Sequence, residues 1–84
     1  MCFVAVNFIN DPIVAGYPFW YYCEFTDAEV GDHIVAPLGR HNRLQEGVIM
    51  EVRFATEDRA PFPFERIKRI QELKKESKIV QNSK

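Results

Sequence analysis

The sequence predicts an all-β domain, a small SH3-like or OB-like barrel. Three observations predict it. Short runs of β-branched and aromatic residues recur along the chain; clusters of Gly, Pro, Asn and Asp close each run; and 84 residues leave room for only one core. The barrel is expected over residues 1–73, with a polar tail, helical or frayed, over residues 74–84.

The first strand is Cys2-Phe3-Val4-Ala5-Val6-Asn7-Phe8-Ile9, ended by the turn signal Asn10-Asp11-Pro12. Residues 13–18, with Gly16 and Pro18, read as a loop. The aromatic run Phe19-Trp20-Tyr21-Tyr22-Cys23-Glu24-Phe25 follows, and a pleated surface accommodates such rings on both faces. Gly31 suits a turn that needs positive φ, and His33-Ile34-Val35-Ala36-Pro37 is a short strand closed by Pro37-Leu38-Gly39. Residues 40–46 are polar and read as an exposed loop. A strand resumes over Gly47-Val48-Ile49-Met50-Glu51-Val52-Arg53-Phe54. Its alternation puts Val48, Met50, Val52 and Phe54 on one face and Ile49, Glu51 and Arg53 on the other. Gly47 is placed to permit a sharp bend at a barrel corner.

Residues 55–63 form a charged, proline-bearing loop. Residues 64–73 support two readings: Ile67, Ile70 and Leu73 fall at helical spacing, yet a strand is favoured there. Aromatic residues are numerous enough to fill a small core, and Tyr22 and Phe25 are expected there.

Composition excludes several functions. No apolar run approaches the roughly 18 residues that span a bilayer, and the amino-terminal stretch lacks the basic region and cleavage site of a signal peptide. A cytoplasmic location and no membrane partner are therefore expected. Cys2 and Cys23 form no metal-ligand spacing with His33 and His41, and buried free thiols are the expectation; a disulfide requires their two strands to lie side by side, and a cytosolic location disfavours it. The four glycines are isolated, so neither a dinucleotide fingerprint nor a P-loop exists. Asp27, Glu29 and Asp32 read as solvated turn charges, and His33 as a surface or half-buried residue rather than a general base. No cofactor is expected and no catalytic machinery is read.

The formal net charge of −1 conceals a polarity. Residues 1–39 contain five acids and no Lys or Arg, whereas residues 40–84 hold 11 basic and 7 acidic residues. A near-neutral whole argues against strong non-specific nucleic-acid binding and leaves a local basic site open.

Phe19-Trp20-Tyr21, then Gly31, then Ile34-Val35-Ala36-Pro37-Leu38-Gly39-Arg40, then Glu46-Gly47-Val48-Ile49 and finally Pro63-Phe64-Glu65-Arg66-Ile67-Lys68 occur in that order. This succession resembles the amino-terminal 3′-DNA-end-binding domain of the primosomal replication-restart helicases, the PriA family. The resemblance implies an all-β fold that captures the 3′ end of a DNA strand. It assigns the pocket to Trp20 (or Tyr21), Gly39 and Lys68. The family's acidic pocket residue is missing, with Trp20 or Tyr21 in its place, so hydrogen bonding to a terminal base gives way to ring stacking. The helicase portion has no counterpart in these 84 residues.

Two functions are therefore expected. The first is a non-catalytic module for single-stranded DNA or a DNA 3′ end, working with a replication or mobile-element protein. Trp20, Tyr21 and Tyr22 would be its stacking platforms, with Arg40, His41 and Arg43 on one loop and Arg66, Lys68 and Arg69 on the late segment. The second is an SH3-like interaction barrel whose partner is a peptide or protein.

Overall fold

The computed structural model describes residues 1–75, and the expectation of a frayed or helical tail lies almost wholly outside them. The fold is all-β. Strands β1 (Cys2–Asn7), β2 (Phe19–Cys23), β3 (His33–Leu38), β4 (Arg43–Phe54), β5 (Lys68–Arg69) and β6 (Glu72–Lys74) form one sheet in the order β5-β2-β1-β4-β3-β6. All neighbours are antiparallel except β2 and β5. Among the described residues no helix is long and apolar enough to cross a membrane.

That order forces the sheet to curl. β5 and β6 occupy its opposite edges, yet only Ile70 and Gln71 separate them, a reach of about 11 Å from Arg69 to Glu72 even when extended. The two intervening amides join the edges: Ile70 N donates to Tyr22 O (3.2 Å) and Gln71 N to Val35 O (2.7 Å). The helical spacing of Ile67, Ile70 and Leu73 thus fails to make a helix, because these backbone donors go to strands. Within residues 64–73 the helical geometry is limited to one 3₁₀ turn, Phe64–Arg66, just before β5.

The concave side holds Val4, Val6, Phe8, Tyr21, Cys23, Ile34, Ala36, Ile49 and Ile70. On the opposite face of β1, Phe3 packs against Tyr22 (ring centroids 6.0 Å) and Phe64 (6.5 Å). The aromatic run of β2 serves both faces, as the period of two requires. Tyr21 lies in the core, while Tyr22 and Phe25 are half-buried.

Three expectations need correction. Polar residues 43–46 belong to β4 rather than to a loop. They pair with β3 alone, since β1 reaches only as far as Val48, so their composition stays that of an exposed ribbon. The alternation along β4 also fails: Ile49 is fully buried and Met50 is 54% exposed. The β1–β4 register shifts between Ala5↔Glu51 and Val6↔Ile49, leaving Met50 as an extra residue that reverses the facing of the strand. Finally, Asp32 is 4% exposed and not solvated. Its carboxylate accepts from Glu29 N (2.9 Å) and from Lys75 Nζ (2.6 Å), and its backbone pairs with Ile49.

Gly31 takes the positive φ expected of it, and Gly47 serves a close approach of two strands. Gly31 has φ of +98°, and its amide donates to Ile49 O. Gly47 is buried where a Cβ would sit 2.5 Å from Val6 Cγ1 and 3.1 Å from Asn7 O, so β4 can cross β1 this closely only without a side chain.

Candidate functional site

A largely apolar cleft opens at the mouth of the barrel, where the start of β2, the end of β3 and the start of β5 meet. Two ties across the mouth bring these ends together. Tyr21 Oη donates to Pro37 O at 2.6 Å, fastening β2 to the end of β3 beneath the surface. Above it, Lys68 Nζ donates to Gly39 O at 2.8 Å. Lys68 stands beside Tyr21 in the parallel β2–β5 register, so its stem runs past the tyrosine and its ammonium reaches the β3–β4 turn.

The turn itself is built for exposure of backbone. Leu38 pairs with Arg43, and the four residues between them close with Asn42 N donating to Gly39 O at 3.2 Å. Gly39 has φ of +80° and Asn42 of +53°, conformations that Gly and Asn adopt most readily. A Cβ added at Gly39 would meet nothing within 4 Å, so open space lies against the main chain there. The Gly39 carbonyl accepts two hydrogen bonds and is saturated, whereas the Lys68 ammonium uses one of its three donors on it.

The cleft has a volume of about 490 Å³ and is lined by Tyr17, Pro18, Phe19, Trp20, Tyr21, Leu38, Gly39, Phe62, Arg66 and Lys68. Four of the six residues singled out from the sequence, namely Trp20, Tyr21, Gly39 and Lys68, therefore converge on one concavity although they span 49 residues of chain. Tyr21 is 3% exposed, so it forms the floor and not a stacking surface. Burial pushes its phenol up to about 12, and it stays neutral at physiological pH. Trp20 is half-buried, and its ring is held by the Arg53 guanidinium 4.7 Å from the centroid. Arg53 is in turn oriented by Glu51 at 2.9 Å.

Arg40 and Arg43 sit on the exposed hairpin next to Gly39 but do not line the cleft. Their place among the lining residues is taken by Arg66, at the end of the 3₁₀ turn before β5. His41 is exposed on the same hairpin.

Tyr17 and Phe62 were not singled out by sequence reasoning, and both line the cleft with much of their surface open, at 69% and 43% exposed. A signal existed for each. Tyr17 immediately precedes Pro18, and Phe62 stands between Pro61 and Pro63. An aromatic residue fixed by proline in a loop has no strand to carry it into the core. Tyr17 also stacks edge-on against Phe19 (centroids 6.0 Å), which joins the loop to the first residue of β2.

The site thus offers three ring surfaces, two cations and an exposed glycine backbone. It can stack planar groups and neutralise an anion beside them. Comparison with protein-family models, with curated proteins and with solved structures finds no match for this chain.

Proposed function

We propose that the domain is a non-catalytic module that binds the end of a single DNA strand in the Gly39–Lys68 cleft, as its resemblance to the 3′-DNA-end-binding domain of primosomal helicases implies. One observation carries the reading: Lys68 Nζ rests on Gly39 O at the edge of a cleft that also contains Trp20. Terminal bases stack on Trp20, Tyr17 and Phe62, and Lys68 with Arg66 meets the adjacent phosphate. The aromatic at the position of the family's acid makes the recognition one of ring faces, so preference among bases is weak. The same chemistry suits a module acting beside a replication or mobile-element protein.

Fluorescence anisotropy with a labelled oligonucleotide tests this directly. The expected result is binding at low salt that weakens as salt rises, and tighter binding to a free than to a blocked 3′ end. Absence of binding at low salt defeats the proposal.

A second reading, an SH3-like groove for a proline-rich peptide, is favoured by the rings of Tyr17, Trp20 and Phe62 beside Pro18. Salt-insensitive binding of such a peptide, with none of DNA, would put it first.

A further inference from the structure

The end of β2 remote from the cleft brings the two cysteines of the chain together. In the β1–β2 register Cys2 lies directly opposite Cys23. Facing residues of antiparallel strands have Cα atoms about 4.5 or 5.5 Å apart, and both spacings lie within the roughly 4.4–6.8 Å that a disulfide spans. The two side chains share the concave face: Cys23 belongs to the buried cluster and Cys2 packs against it. Both thiols are free, and Cys23 Sγ donates to Phe25 O at 3.4 Å.

Access is present as well. Cys2 is only half-buried, and a recess of about 450 Å³ lined by Met1, Cys2, Cys23, Phe25 and Phe54, among others, opens beside the pair. Phe54 faces Cys2 across the other side of β1, at the end of β4, so the sheet fixes Cys2 from both flanks.

We propose that Cys2 and Cys23 are a redox-convertible dithiol, and that a small-molecule disulfide of the glutathione type oxidises it to a cross-strand disulfide clamping β1 to β2. The accessible Cys2 thiol loses its proton to solvent, and the thiolate attacks one sulfur of the external disulfide. That S–S bond breaks, one external thiolate leaves, and a mixed disulfide forms on Cys2. The Cys23 sulfur then gives up its proton, attacks Sγ of Cys2 and expels the second external thiolate. Two protein thiols are oxidised while one external disulfide is reduced to two thiols. Burial, with the neighbouring Cys2 adding to it, pushes the Cys23 thiol up to about 11, so the second step is the slow one and accelerates as pH rises.

The clamp lies at the opposite end of β2 from Trp20, so it does not depend on what the cleft binds. The test equilibrates the folded full chain with mixtures of reduced and oxidised glutathione, quenches with an alkylating agent and reads the intact mass. The expected product is a monomer lacking two hydrogens, whose peptide map joins Cys2 to Cys23. Its melting temperature should exceed that of the reduced chain by about 10 °C, because the bond closes a loop of some twenty residues in the unfolded state. Cys23→Ser should stop at a single glutathione adduct on Cys2. Only adducts or intermolecular dimers from the folded native chain, or a disulfide that forms only in denaturant, would overturn the proposal. So would an oxidised form that melts below the reduced one.

Discussion

Lys68 Nζ donates to the Gly39 carbonyl across 29 residues of chain, at 2.8 Å. The bond places a cation at the cleft edge before any ligand arrives, which lowers the rotamer entropy left to lose on binding. If the cleft takes a DNA strand, Lys68→Ala should leave the fold intact and weaken binding about tenfold. The slope of log affinity against log salt should fall by about 0.7, the increment of one phosphate contact on a single strand. Arg40→Ala, at a position outside the cleft, should move both much less. Anisotropy titrations at several salt concentrations read both quantities.

The exposed rings should contribute through stacking and not through charge. Phe62→Ala is expected to cost about 1–3 kcal/mol of oligonucleotide binding with the salt slope unchanged. Phe62 is 43% exposed and belongs to no strand, so its loss should shift the melting midpoint little. A variant that binds DNA like the parent would remove the base from this part of the cleft.

How far the sequence could reveal this arrangement depends on the range of the interactions. β2, the Gly31 turn and the Pro37-Leu38-Gly39 stop are legible because local composition sets them. Gly39 and Lys68 come together physically through the Tyr21–Pro37 bond and the β2–β5 pairing, neither of which any local pattern encodes. The bulge at Met50 is invisible for the same reason: a change of phase shows only when β4 is laid against β1. Asp32 looks like one of three acids on a wet turn, and its burial rests on Lys75, 43 residues away. Tyr17 and Phe62 are legible only through their neighbouring prolines, which hold them in loops and away from the strands.

Asp32 should be the most sensitive acid among the described residues. Its carboxylate sits at 4% exposure, caps the turn at Glu29 N and receives the Lys75 ammonium, which also donates to the Asp27 carbonyl. Asp32→Ala removes the acceptor and strands both donors, for an expected loss of about 2–4 kcal/mol in urea unfolding. Asp32→Asn keeps an acceptor for Glu29 N and should lose roughly half as much. Equal losses in the two variants would mean that the charge on Asp32 contributes everything.

Gly47 offers a test of the barrel corner. An alanine methyl would lie 2.5 Å from Val6 Cγ1, and Val6 is fully buried and β-branched, so its χ1 has little freedom to yield. β4 and β1 must separate, at an expected cost of about 1–3 kcal/mol or more. The denaturation midpoint should fall with little change in slope. Gly16→Ala, where a Cβ meets nothing within 4 Å, isolates the strain of positive φ without any crowding.

Alkaline pH should unfold the domain through Tyr21. Burial raises its phenol from about 10 in the unfolded chain to about 12 in the fold, so the folded state holds the proton more tightly. The corresponding stability is complete below pH 10 and is lost as pH rises through 12, a change of about 2–3 kcal/mol. Cys23, raised from 9 to about 11, adds a loss that begins near pH 9. Tyr21→Phe removes the ionisation and also the donor to Pro37 O, so it should be about 1 kcal/mol less stable than the parent at pH 7. Its stability should then decline less steeply above pH 10, and the two curves should cross between about pH 10 and 11. Parallel alkaline limbs in urea unfolding would show that the phenol at the floor of the cleft is not the group that titrates.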